Sequence, residues 1–206
     1  MQSKFQSGFT VIELMITLAV AAILAMIAAP SFTGMIEKSR LRGATDDLVN
    51  LLNTSRANAV KTERQVNVSV SGTTSWCAGA VAESGPATPG LAATPAYNAP
   101  CNCNASTVSC LVAGQNALVS SSDYSGVTLS SVTGIAYVST SSGGVTFDPK
   151  FGAVTDSSGS LLATSPQIVV LSKSGKYSTR ITVSPLGQTS VCIPSTSQFV
   201  AWYPSC

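Results

Sequence analysis

The chain has 206 residues, 10% of them charged, with eleven bases, nine acids and no histidine. That length holds one globular domain plus an added segment, not two full domains. Without histidine the commonest general base and metal ligand are missing, and no phosphate-cradling glycine loop or nucleophile elbow appears. Composition therefore argues against an enzyme, a cofactor and a metal centre.

Residues 1–8 form a short basic start ending in Gly8, and Phe9 opens an almost wholly apolar run that reaches Phe32. A helix over 9–32, at about 1.5 Å per residue, spans roughly 36 Å and crosses a bilayer. One acid, Glu13, stands inside this run. A carboxylate at mid-membrane costs about 2.5–3.5 kcal/mol on insertion scales, so it asks for a partner. A removable secretory signal accounts for the basic start, but its apolar region is shorter and has no use for the acid. A plain single-pass anchor accounts for the length and leaves Glu13 unexplained.

The stretch Gly8-Phe9-Thr10-Val11-Ile12-Glu13-Leu14 resembles the processing site of type IV pilins and pseudopilins: glycine before the cut, phenylalanine after it, glutamate fifth from the new amino terminus. Pro30 falls where many of these proteins carry a proline in the transmembrane helix. The resemblance implies that prepilin peptidase cuts between Gly8 and Phe9 and that the freed amine of Phe9 is methylated. It also implies that Glu13 pairs with this amine, in its own subunit or a neighbour, so that neither charge is buried alone. Glu13 and Pro30 are thus expected to serve assembly. The other reading, in which Glu13 reaches the headgroups of the nearer interface, stays open.

Beyond the membrane segment, Ile36, Leu41, Ala44, Leu48, Leu51, Leu52, Ser55 and Ala59 recur at three- and four-residue steps. This predicts an amphipathic continuation of the helix over 33–64 with an apolar stripe facing a domain. Pro30, Gly34 and Gly43 are expected weak points, and the helix should fade between Lys61 and Arg64. Six bases and four acids lie in 33–64, against four of each from residue 65 onward. Arg40 and Arg42 form a cluster expected to face headgroups or another subunit. The neutral remainder argues against a salt-sensitive grip on nucleic acid.

From residue 65 to 206 the signal is β. Alternation at 66–70 and 127–129, and strand-like runs at 135–139, 145–147, 167–171 and 180–183, are separated by turn signals at Ser71-Gly72, Gly143-Gly144, Asp148-Pro149, Ser158-Gly159, Ser174-Gly175 and Pro185-Leu186-Gly187. Residues 83–100, with four prolines, read as an exposed loop, and 120–144 as short strands joined by polar loops. The expected fold is α+β: a long N-terminal helix, transmembrane then amphipathic, packed on an antiparallel sheet or sandwich head.

Six cysteines behind an export-type start argue for disulfides in an oxidising compartment. Cys192 and Cys206 are alone in the last third and are expected to bond. Cys101 and Cys103 lie too close to bridge each other easily, so one is expected to reach Cys77 and the other Cys110. A zinc site on Cys101, Cys103 and Cys110 is the alternative.

The body of the chain resembles the GspH/FimT group of minor pilins and pseudopilins. The resemblance rests on Ser55-Arg56-Ala57-Asn58-Ala59-Val60 leading to Val66-Asn67-Val68, on Trp76 with Gly79 and Val81, on Phe147-Asp148-Pro149-Lys150-Phe151-Gly152, and on Ile181-Thr182-Val183-Ser184-Pro185-Leu186-Gly187 closing on Cys192. Some members implicated in DNA uptake carry Gly-Arg-x-Arg in the last hairpin; here the positions read Gly187-Gln188-Thr189-Ser190. Phosphate contact needs cationic donors, and the nearest, Lys173, Lys176 and Arg180, make a weak basic patch that reads as a solvated face. The resemblance implies a structural subunit in the inner membrane, single-pass with a periplasmic head, extracellular when in a pilus. Its partners would be other pilins or pseudopilins, prepilin peptidase and the inner membrane. A minor pilin of a type IV pilus comes first, an H-type pseudopilin of a type II secretion system second, a DNA-uptake pilin last.

Overall fold

The computed structural model describes residues 9–82, 101, 110–133, 142–155, 160–200 and 202–206, with the side chains of 27–31, 131–133 and 142–143 left aside. Gly8, Cys103, the 83–100 loop, the run at 135–139 and the Ser158-Gly159 turn lie outside the described residues.

One helix, α1 (Val11–Thr62), runs unbroken through Pro30, Gly34 and Gly43. It ends where Glu63 turns to φ 53°, with the Arg64 amide donating to Ala59 O at 3.2 Å. Gly43, expected as a weak point, does not interrupt the helix and has a further use. A Cβ there would sit 2.9 Å from the Tyr124 ring, so its bare backbone lets that ring approach α1.

The chain divides into two compact units, Met1–Ile36 and Glu37–Cys206. The second holds eleven described strands: β1 (Val66–Ser71), β2 (Cys77–Ala82), β3 (Leu111–Val112), β4 (Gln115–Asn116), β5 (Leu118–Ser120), β6 (Thr128–Thr133), β7 (Ser142–Phe147), β8 (Val154–Thr155), β9 (Gln167–Leu171), β10 (Ser178–Val183) and β11 (Thr189–Cys192). They form a five-stranded sheet in the order β5-β2-β1-β7-β8, a four-stranded sheet in the order β11-β10-β9-β6, and the small β3-β4 hairpin. All pairings between these strands are antiparallel. Fold class is therefore α+β.

Leu41, Ala44, Leu48, Leu51, Leu52 and Ala59 of α1 are buried in one hydrophobic cluster with Val66, Val68 and Val70 of β1, Phe147 of β7, Ile168 and Val170 of β9, and Ile181 and Val183 of β10. The three- and four-residue spacing of the helical members makes that stripe. Ile36, predicted to begin it, is instead exposed and belongs to the first unit.

The central strand β1 alternates as Val-Asn-Val-Ser-Val, yet both of its faces are covered. Buried Asn67 accepts from Thr146 Oγ1 at 2.6 Å, and Ser69 Oγ donates to Cys101 O at 3.0 Å, so neither polar side chain is left unmatched. Gly143-Gly144, expected as a turn, lies inside β7 opposite Val70 and Ser69. A side chain at Gly144 would press on Val68 O, 2.8 Å from its Cβ. Gly144 thus serves close strand approach, which a local pattern does not distinguish from a turn.

Candidate functional site

Two regions carry the residues that the sequence singles out. The first is the start of α1. Thr10 precedes the helix, and its Oγ1 accepts from the Glu13 amide at 3.3 Å while its carbonyl accepts from the Leu14 amide at 3.2 Å. Thr10-Val11-Ile12-Glu13 is the Ser/Thr-x-x-Glu pattern of a capping box, a signal present in the sequence but overshadowed by the apolar run around it. Glu13 therefore stands in the first helical turn, where the macrodipole favours an acid. The helix is capped by Thr10, the residue after Phe9.

Every described side chain from Phe9 to Met26 is exposed, among them Val11, Ile12, Leu14, Met15, Ile16, Leu18, Val20, Ile23 and Leu24. An apolar surface of this extent on all sides of a helix marks a segment to be covered by lipid or by other helices. Among the described residues no helix is long and apolar enough to cross a membrane; the described side chains of this stretch stop at Met26. Pro30 lies within α1.

The second region lies where α1 continues into the head, over Glu37–Arg56. Polar side chains of this part of α1 are fastened to distant loops. Ser174 Oγ donates to Glu37 Oε2 at 2.5 Å, and Arg40 donates to Ser125 O at 3.1 Å. Tyr124 donates to Asp47, and Tyr203 to Asp46 at 2.6 Å. Arg42 bridges to Asp46 at 3.3 Å with its guanidinium 4.6 Å from the Trp202 ring centre. Buried Thr45 and Thr179 join hydroxyls at 2.7 Å, and Arg56 Nε donates to Gly152 O at 3.0 Å. Burial first, then the bond to Asp47 and the charges of Asp47, Asp123 and Asp46, push the Tyr124 phenol up to about 12. The Tyr203 phenol is raised by burial first and then by its bond to Asp46 and that acid's charge, with Arg42 working the other way.

Cys101 is bonded to Cys110, and Cys192 to Cys206. Cys77 is disulfide-bonded as well, with Ser71 Oγ 3.1 Å from its sulfur. The bonded state of Cys101 and Cys110 removes the thiolates that the zinc alternative required, and the described residues hold no cluster of metal-ligand type. The Cys101–Cys110 bridge lies on Gly79 of β2, where a Cβ would come within 2.3 Å of Cys101 Sγ. Trp76 fills core immediately before β2; its Nε1 donates to Val127 O at 2.9 Å and its ring stacks on Tyr124. Lys173 and Lys176 sit in the turn between β9 and β10, exposed, while Arg180 lies half-buried within β10.

A capped apolar helix that enters an antiparallel, disulfide-braced head defines a pilin-like subunit. A model of the prokaryotic N-terminal methylation motif matches residues 3–29, and a model of the type II transport protein GspH matches residues 44–187, well over half the chain. The chain belongs to that GspH family, whose members are type IV pilin-like proteins or type II secretion pseudopilins, structural rather than catalytic. Membership implies assembly with other pilins or pseudopilins, and the N-terminal motif suggests a membrane-anchored pilin. No curated protein and no solved structure matches the chain.

Proposed function

We propose that this protein is a minor pilin-like structural subunit of a type IV pilus. Prepilin peptidase cuts between Gly8 and Phe9, the Phe9 amine is methylated, and residues 9–32 hold the protein in the inner membrane by a single pass, with the head in the periplasm. In the filament the apolar helix packs among its neighbours, Glu13 pairs with a Phe9 amine, and Pro30 lies within the packed helix. The head caps or primes the filament, and the protein catalyses nothing. One observation supports this most. The helix is capped by Thr10, second after the expected cut, and its exposed apolar surface runs on to Met26 with Glu13 as its one acid.

The second reading, an H-type pseudopilin of a type II secretion system, is favoured by the description of the matched family. It uses the same parts to drive export. A deletion strain scored for surface pili and twitching, for exoprotein secretion and for transformation separates the readings. Loss of pili with normal secretion is the expected outcome. Loss of secretion with normal pili moves the protein to the second reading, and loss of transformation alone points to DNA uptake.

A further inference from the structure

We propose that the end of the head at which α1 enters it is a collar for anionic lipid headgroups, formed by Lys38, Arg40, Arg42, Lys173 and Lys176. The inference rests on the membrane-anchored reading above and adds a partner for the head itself.

Three of these cations fall within the first six residues of the head unit, which begins at Glu37. Residues two apart on a helix point about 200° apart, so Lys38 and Arg42 flank one side of α1 and Arg40 the other. Three different loops receive them. The Lys38 ammonium lies 4.8 Å from the centre of the Tyr177 ring, Arg40 donates to Ser125 O, and Arg42 covers Trp202. The remaining two cations come from the β9–β10 turn, which Ser174 ties to Glu37. The stem of Lys173 is pressed against Gly126, where a Cβ would lie 2.9 Å from that of Lys173. Arg40, Arg42, Lys173 and Lys176 are all exposed.

The acids nearby cancel this charge only in part. Glu37, hydrogen-bonded to Ser174, keeps its charge and offsets one cation at this end. Asp46 and Asp47 stand six and seven residues beyond Arg40, about 9 Å or more along the axis, each accepting from a tyrosine. Asp46 offsets Arg42 in part, and Asp123 accepts from Ser120. The excess of positive charge therefore gathers at the end from which the chain runs back into its exposed apolar stretch.

Phosphate is the chemistry such cations take, and the arrangement selects the source. Cations that encircle a helix fit a charged plane crossed by that helix, whereas a nucleic-acid strand needs a row of cations along a groove. An anionic membrane surface attracts each nearby lysine or arginine enough to change attachment about fivefold per cation at moderate salt.

The test uses the full chain in vesicles of phosphatidylcholine, with or without phosphatidylglycerol, carrying a headgroup-labelled quencher lipid. Trp202 is exposed beside Arg42 and reports on the collar, while buried Trp76 gives a constant background. Quenching should be about twofold or more stronger with phosphatidylglycerol and should fall to the neutral-lipid level at high salt. The triple variant Arg40→Gln, Lys173→Gln, Lys176→Gln should lose the lipid dependence, and Arg40→Lys, Lys173→Arg, Lys176→Arg should keep it. Equal quenching in both lipids, or a glutamine variant that behaves as wild type, overturns the collar. A collar-dependent shift of a DNA duplex without any lipid dependence overturns it in favour of nucleic acid. Co-flotation with neutral vesicles reports the anchor separately; failure there overturns the membrane reading and the collar with it.

Discussion

The Tyr203 phenol donates to Asp46 at 2.6 Å and so joins the last residues of the chain to a helix 157 positions earlier. The Cys192–Cys206 bridge closes the segment that carries Tyr203, and Trp202 in the same segment lies under Arg42. Hydrogen bonds to charged acceptors contribute about 1.5–3 kcal/mol, less where water reaches the pair. Tyr203→Phe is therefore expected to cost about 1–2 kcal/mol in denaturant unfolding. Replacing Cys192 and Cys206 by serine opens a short loop and should cost about 3 kcal/mol. With that bridge absent, Tyr203→Phe should cost clearly less, since an unclosed tail no longer holds the phenol in place. Equal costs in both backgrounds would show that the bridge does not position Tyr203.

Both raised tyrosines make stability fall in alkali. A phenol that ionises at about 10 in the unfolded chain and only near 12 at folded Tyr124 keeps its proton longer when folded. Between those values the folded state binds more protons, so stability is complete below pH 10 and declines as pH rises through that window. Thermal midpoints should drop progressively above pH 10, and Tyr124→Phe should flatten the decline. The tyrosinate absorbance of Tyr124 should titrate later than that of an exposed tyrosine. A midpoint independent of pH up to 12 would contradict the assignment.

Gly79 is where a bridge and a strand share space. Gly79→Ala places a methyl group against Cys101 Sγ and is expected to destabilise the head by about 1–3 kcal/mol, the usual cost of overpacking. In a chain with Cys101→Ala and Cys110→Ala the same change should be nearly neutral. Unfolding measurements on the four chains give the coupling, and additive costs would refute the steric explanation.

Glu13 has two features to separate, because it fills the last position of a capping-box pattern as well as carrying charge. Glutamine serves a capping box about as well as glutamate does. Glu13→Gln should therefore leave the helix start intact yet abolish incorporation into the filament, and Glu13→Ala should abolish it too. Thr10→Ala, which removes the cap and costs about 1 kcal/mol, should leave incorporation largely in place. If Glu13→Gln assembles normally in a pull-down of sheared filaments, the charge pair with Phe9 is wrong.

The sequence shows best what is periodic. The end of α1 near Thr62, the run that became β9, and the stripe from Leu41 to Ala59 each follow from local spacing. At Gly143-Gly144 a strand stands where a turn is expected, since glycine marks both turns and close strand approach. Thr10 was legible as a cap and was hidden by the apolar run beside it. The fastenings of α1 left no trace of any kind: Tyr124, Ser174 and Tyr203 come from three distant loops, and no spacing links them to Asp47, Glu37 or Asp46. Hydrophobic periodicity reports which face is buried, whereas which loop meets which helical turn depends on the sheet topology.

Those fastenings also determine how α1 bears load. From Ser174 on Glu37 to Gly152 on Arg56 they are spread over twenty residues, about 29 Å of helix. An axial tension applied at the amino end would meet them side by side, in shear, so that none can fail alone. A sideways pull on the tail would instead meet Tyr203 and Trp202 first and undo them in sequence. Traction along the helix would thus be shared among all the fastenings, whereas peeling at Trp202 and Tyr203 would run only as far as the Cys192–Cys206 bridge allows.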